Sequence, residues 1–101
     1  MKFDNPIDQL LAGEAAASLG MSGRKLKQTL DALRQFEADV AARARSADPV
    51  VRNNLVMDAA EAYWGYVVQR EQFGLLDSDT IAKDYAVPDE VKRVMGPKLG
   101  S

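Results

Sequence analysis

The residues best suited to chemistry lie in the segment 63–75, YWGYVVQREQFGL, where Gln69, Arg70 and Glu71 follow a run of aromatics and valines. On a helix, Arg70 lies beside the apolar stripe because it follows Tyr66 by four residues. An arginine in that position is expected to stack its stem on an aromatic ring and to hold a carboxylate with two hydrogen bonds. The same polar residues could instead line a ligand pocket. The sequence leaves both interpretations open.

Glu14 is the candidate partner for Arg70, because it is the one charge in the otherwise apolar second half of the first predicted helix. Asp58 and Glu61 are weaker candidates, since they lie farther along the same helix as Arg70. An arginine in an active site usually assists an acid, a base or a nucleophile, and none is evident beside Arg70. A structural bridge is therefore favoured over an active site.

The composition removes several classes of chemistry. The chain has no His and no Cys, which excludes Ser-His-Asp catalysis, thiolate nucleophiles and the usual zinc ligands. No catalytic residue, metal site or cofactor is predicted. The net charge of -2 gives no overall attraction to nucleic acid or to an anionic membrane. No leader and no apolar run long enough to span a membrane is seen, so a cytoplasmic protein that contacts no membrane is expected.

The elements that must position these residues are all helical. No segment alternates with period two, and 101 residues suffice for one domain, residues 1–101. Three longer helices are predicted at about 6–19, 22–45 and 49–73. Asn5 and Asp48 are the predicted caps, each followed by a proline at the first helical position. Residues 97–101 are expected to form a flexible tail.

The junction between the first two helices has an alternative. The helical spacing of the stripe is not interrupted at Leu19, Ser22 and Leu26. A single helix over residues 6–45 is therefore also compatible with the pattern. Such a helix would be about 60 Å long and would extend past a domain roughly 35 Å wide. Each interior glycine disfavours it by about 1 kcal/mol relative to alanine. A break at Gly20 is the preferred prediction.

A short helical hairpin is predicted at the C-terminal end, with helices at about 78–85 and 88–95. It is similar to a DNA-reading helix-turn-helix in its first apolar positions. Lys92 stands where that motif requires an apolar residue, and the surrounding residues are mostly acidic, which disfavours nucleic acid as a partner. Arg24, Lys25 and Lys27 form a basic cluster at the start of the second predicted helix, where free backbone N–H groups could bind an anion.

Several apolar faces in so short a chain favour self-association. A homodimer is therefore expected, with binding of another protein as the alternative. The candidate interface consists of a heptad-like stripe on the second predicted helix and an exposed part of the third: Leu26, Leu30, Leu33, Phe36, Val40 and Trp64.

The segments ASLGMSGRKLKQTLDALRQFEAD and AYWGYVVQREQFGLLDSDTIAKDYAVPDEVKRVMG together resemble a family of small bacterial proteins of unknown function, chiefly alphaproteobacterial. The resemblance is carried by Leu19-Gly20, Gly23, Trp64, the run 68–71 (VQRE), Gly74-Leu75, Tyr85, Val87-Pro88, Glu90-Val91 and Met95-Gly96. It implies a bacterial origin and an all-helical fold, and it carries over no catalytic residue.

The sequence therefore predicts a non-enzymatic interaction or self-assembly module. One alternative is a small-ligand or anion binder that uses Arg70, and a further one is a nucleic-acid-binding protein that uses residues 78–95. No ligand can be named from the residues.

Overall fold

The computed structural model describes residues 6–94, with backbone alone in residues 6–12 and 15. Four helices follow one another: α1 (Pro6–Ala41), α2 (Pro49–Gln72), α3 (Ser78–Asp84) and α4 (Asp89–Val94). The described residues include no strand, so the predicted all-α class is confirmed. The predicted Asn5 cap, the tail at 97–101 and Met95 lie outside the described residues.

The predicted break at Gly20 is wrong, because α1 continues through it for 36 residues. Contacts with the rest of the chain stabilise the continuous helix. Ser22 does not cap a second helix; its hydroxyl donates a hydrogen bond to Gln69 on α2. Gly23 is buried beneath Tyr66 and Tyr85, and a Cβ there would lie 2.8 Å from the Tyr85 hydroxyl. The glycine therefore provides close packing, which outweighs its low helix propensity.

The two long helices form an antiparallel pair. Ser18 on α1 contacts Gln69 near the end of α2, and Glu37 contacts Arg52 near its beginning. Asp48 caps α2 by accepting a hydrogen bond from the Val50 amide at 2.9 Å, which confirms that predicted helix start. The α1 stripe packs against small and aromatic residues of α2 in a shared core that includes Leu26, Leu30, Leu33, Val56, Ala59, Ala60, Tyr63 and Val67.

The two short helices cover one side of this pair. Ile81, Val87 and Val91 belong to the same core, and Val91 is fully buried. The turn between α3 and α4 is held by Arg34 of α1, whose guanidinium donates to the carbonyl oxygens of Tyr85 and Ala86 at 2.8 and 2.9 Å. Both short helices begin within a residue of their predicted starts.

The leading segment, residues 6–17 of α1, lies mostly beyond the end of α2. The register of the pair places Ser18 beside the last turn of α2, so the residues before it run past that end. At 1.5 Å per residue, α1 is about 54 Å long and α2 about 36 Å. Gly13, Glu14, Ala16 and Ala17 are exposed, and the protein extends 57 Å along its longest axis.

Two glycines allow a matched test of this packing. We expect Gly65→Ala to raise the free energy of unfolding by about 1 kcal/mol, because nothing lies within 4 Å of a Cβ there and alanine favours the helix. We expect Gly23→Ala to lower it by about 1 kcal/mol, because overpacking costs roughly 1 to 3 kcal/mol and outweighs the gain in propensity. Urea unfolding at low protein concentration, followed by circular dichroism, measures both. Equal stabilisation by the two substitutions would contradict the packing assigned to Gly23.

Candidate functional site

A groove with a volume of about 670 Å³ lies between α1 and α2 on the described surface. Its α1 wall presents Met21 and Lys25, and its α2 wall presents Glu61, Gly65 and Val68. No residue of α3 or α4 lines it. The groove therefore lies on the side of the helix pair that the two short helices leave uncovered.

The walls of the groove carry apolar side chains in contact with solvent. Met21 is 65% exposed and Val68 is 49% exposed. Between them, Gly65 forms a bare stretch of α2 backbone, since no atom lies within 4 Å of the position its Cβ would occupy. An exposed glycine in a helix interior is unfavourable by roughly 1 kcal/mol relative to alanine. Nothing in the described part of this chain uses the space that Gly65 leaves.

Two residues that line the groove, Ser22 and Gln69, take part in a polar contact between the helices. The Gln69 side-chain amide donates to the Ser18 hydroxyl, while its carbonyl oxygen accepts from the Ser22 hydroxyl. One amide thus fixes two successive turns of α1 against α2. Gln69, predicted to belong to a polar cluster with Arg70, is used for helix pairing.

Arg70 does not pair with Glu14, as the sequence predicted, but with Asp77. Its Nε donates to Asp77 Oδ1 at 2.9 Å, its Nη1 donates to the Tyr66 hydroxyl at 3.3 Å, and the guanidinium lies 5.4 Å from the Tyr66 ring centre. Arg70 pairs with Asp77 because the two residues lie close together in the fold. Asp77 immediately precedes α3 and lies close to the last turn of α2, whereas Glu14 is exposed on the leading segment.

The Arg70–Asp77 pair is a salt bridge within the fold. The hydrogen bond from Arg70 lowers the pKa of Asp77, and the same bond raises the pKa of Arg70. Both side chains are about one-quarter exposed, at 22% and 27%, so the pair is not a deeply buried one. Glu71, the third member of the predicted cluster, is exposed and lies outside it. The guanidinium bonds to Asp77 and Tyr66, and the groove lining does not include it.

The predicted interface stripe is mostly an internal seam. Leu26, Leu30, Leu33 and Phe36 are each at most 3% exposed, because α2 and the segment after α1 cover them. The Arg45 guanidinium lies 4.4 Å from the centre of the Phe36 ring. These four residues therefore cannot form a surface for a second chain while this fold is intact.

The remaining two members of the predicted interface lie at the edge of the core. Val40 is half-buried, and Trp64 is half-buried with its indole N–H donating to the Lys92 carbonyl oxygen at 3.0 Å. Trp64 also makes an edge contact with Tyr63, with ring centres 4.9 Å apart. Trp64 therefore joins α2 to α4.

The predicted anion site at Arg24, Lys25 and Lys27 is not formed, because these residues lie in the middle of α1. Their backbone N–H groups belong to a continuous helix and are not the free groups of a helix start. Lys27 pairs with Asp31 at 2.7 Å. Lys25 lines the groove and forms no salt bridge to any residue whose side chain the structure describes, namely 13, 14 and 16–94.

The helices of the predicted helix-turn-helix face inward. In α4, Val91 is fully buried and Glu90 accepts two hydrogen bonds from Arg52 of α2 at 2.8 Å. Arg52 also donates to Glu37 of α1 at 2.9 Å, and these bonds raise its pKa while lowering the pKa of Glu90. Sequence reasoning missed this link. Arg52 follows Asp48 by four residues in the first turn of α2, and nothing local distinguishes it from a solvated arginine.

A comparison with family models found no match, and searches of curated proteins and of solved structures found none either. The resemblance to small bacterial proteins therefore stays a prediction. Among residues 6–94, no helix is long and apolar enough to cross a membrane.

The carboxylates paired with arginine predict an acid-sensitive fold. Pairing lowers the pKa of Asp77 below its ordinary 3.8 and that of Glu90 below 4.5. Their stabilisation is therefore fully present above those values and is lost as the pH falls through the lowered values of the folded state. We expect the free energy of unfolding to be nearly level between about pH 7 and 5 and to decline below about pH 4.5.

Asp77→Asn isolates one of these contributions. Urea unfolding at several pH values should show a smaller acid-induced decline in this variant than in the original protein, because the asparagine cannot titrate. Asp84→Asn, which removes an equal charge from an exposed position, is the control. A decline in Asp77→Asn parallel to that of the original protein would show that the Arg70–Asp77 pair does not stabilise the fold.

Proposed function

We propose that this protein is a non-enzymatic protein-interaction module that binds a helix of its partner in the groove between α1 and α2. The single observation that carries the proposal is Gly65, an exposed glycine in the interior of α2 with open space above it. Glycine at this position weakens the helix, and no described neighbour requires it. A helix of the partner could approach the α2 backbone closely there.

The shape of the groove suits a helix. Its α2 wall runs from Asp58 to Gln72, which is about 21 Å at 1.5 Å per residue. Packed helix axes lie about 8 to 10 Å apart, and the shorter distances require small residues at the contact. Gly65 and Ala62 supply them. Three or four turns of a partner helix would fill the groove.

The chemistry of the walls suits an amphipathic helix. Met21 and Val68 offer exposed apolar surface, and the charged residues Lys25, Asp58 and Glu61 lie around them. Protein interfaces commonly combine an apolar centre with a polar rim, and an amphipathic helix in a groove is a recurring mode of recognition. The bacterial and cytoplasmic setting predicted from the sequence is part of this proposal.

The other functions considered from the sequence have less support. A ligand pocket that uses Arg70 would need that guanidinium free, but it bonds to Asp77 and Tyr66. Nucleic-acid binding through residues 78–95 would need an exposed reading helix, but α4 packs through Val91 and bonds through Glu90. Binding of a partner helix in the groove requires no described residue to break a contact that it makes in this structure.

Gly65→Leu tests the groove directly. A phage-displayed library of amphipathic helical peptides is selected against the protein, and each selected peptide is then measured against both variants. We expect Gly65→Leu to weaken binding at least about tenfold, because the leucine occupies the space of the partner helix; tenfold corresponds to about 1.4 kcal/mol.

Ala38→Leu is the matched control, since it adds the same side chain at an exposed site of α1 outside the groove. Peptides that bind Gly65→Leu and the original protein equally, or a selection against the protein at a dilution where it is monomeric that yields no helical binder, would contradict the proposal. Thermal unfolding of each variant verifies that the fold is retained.

A further inference from the structure

We propose that the helix in the groove is the leading segment, residues 6–17, of a second copy of this chain. This inference rests on the proposed function of the groove and names its partner. In the resulting dimer, the two copies of α1 cross antiparallel about a two-fold axis near Ala17 and Ser18. Each copy then inserts its leading segment into the groove of the other, and both grooves are filled at once.

The lengths of the two parts agree. The leading segment has twelve positions and is about 18 Å long, whereas the α2 wall of the groove is about 21 Å long. With the crossing at Ala17 and Ser18, residues 6–17 of one copy lie beside residues 18–29 of the other. The α1 wall of the groove, from Met21 to Thr29, falls within that range.

The crossing point is lined by small residues. Ala17 is exposed and Ser18 is half-buried. Small side chains let two helix backbones approach closely.

One charge pair links the two parts. Residues 6–17 contain two carboxylates, Asp8 and Glu14, and no basic residue, and Lys25 is the cation among the charged residues that line the groove, the others being Asp58 and Glu61. Glu14 is exposed, and the crossing places it level with Met21 of the other copy. Lys25 is one turn further along, about 6 Å away, so its ammonium can reach the Glu14 carboxylate. The two-fold axis makes this contact occur twice.

The sequence of the leading segment suits a groove with apolar walls. It contains Ile7, Leu10 and Leu11 at helical spacing, and Met21 and Val68 of the groove are exposed.

Charge reversal tests the pairing. We expect sedimentation velocity over a wide concentration range to show a dimer, and Glu14→Lys and Lys25→Glu each to raise its Kd by about tenfold, because each change introduces repulsion at two symmetric contacts. The double variant, which restores opposite charges, should return to within about threefold of the original Kd. Lys83→Glu, an exposed change on α3, controls for net charge.

Cross-linking tests the crossing point. The chain has no cysteine, so Ala17→Cys provides one thiol per copy, and a short bismaleimide should join two copies. Ala38→Cys, which lies far along α1, should not be joined. A monomer at all concentrations, no rescue by the double charge reversal, or no cross-link at Ala17→Cys would each overturn the inference. Selected helical peptides whose binding is weakened by Gly65→Leu would still support the interaction module even if no dimer forms. Failure of the dimer and failure of the interaction module are therefore distinguishable.

Discussion

The seam between α1 and α2 determines the position of every other described part. Leu26, Leu30 and Leu33 are almost fully buried against Ala59, Ala60 and the aromatics of α2. Removing this apolar surface from water is the main favourable contribution to folding, at about 25 cal/mol per Å². The alanines let the helices approach closely, and the leucines fill the space between them. A shift of one turn would separate the leucines from the alanines, so the seam fixes the register.

The register explains why two arginines become links within the fold. It brings Arg52 between Glu37 of α1 and Glu90 of α4, so one guanidinium joins three helices. At the other end of α2, Arg70 holds Asp77 at the start of α3. Both pairs are partly exposed and individually weak. Their contribution is geometric, because they orient the short helices while Ile81, Val87 and Val91 supply the apolar burial.

The sequence was sufficient for the helical class, for the start of α2 and for the short helices, because periodicity and caps are local signals. Prediction from the sequence failed where contacts between residues far apart in the chain determine the structure. Gly20 and Gly23 are helix-breaking signals locally, but Tyr85 packs over Gly23 from more than sixty positions away. The leucine stripe predicted for a second chain is used by α2 of the same chain. Arg70 was correctly assigned to a carboxylate, and only the fold selects Asp77 over Glu14.

The groove follows from the difference in length between the described helices. An α1 of about 54 Å has more surface than the other three described helices cover. The short helices cover the side where Tyr63, Val67 and Leu30 require burial, and the side with Gly65 and Met21 is left open. Among the described helices, the leading segment without a neighbouring helix and the groove without a third helix are therefore two results of one difference in helix length. In the proposed two-fold dimer, the leading segment of each copy would fill the groove of the other without any change in the protomer.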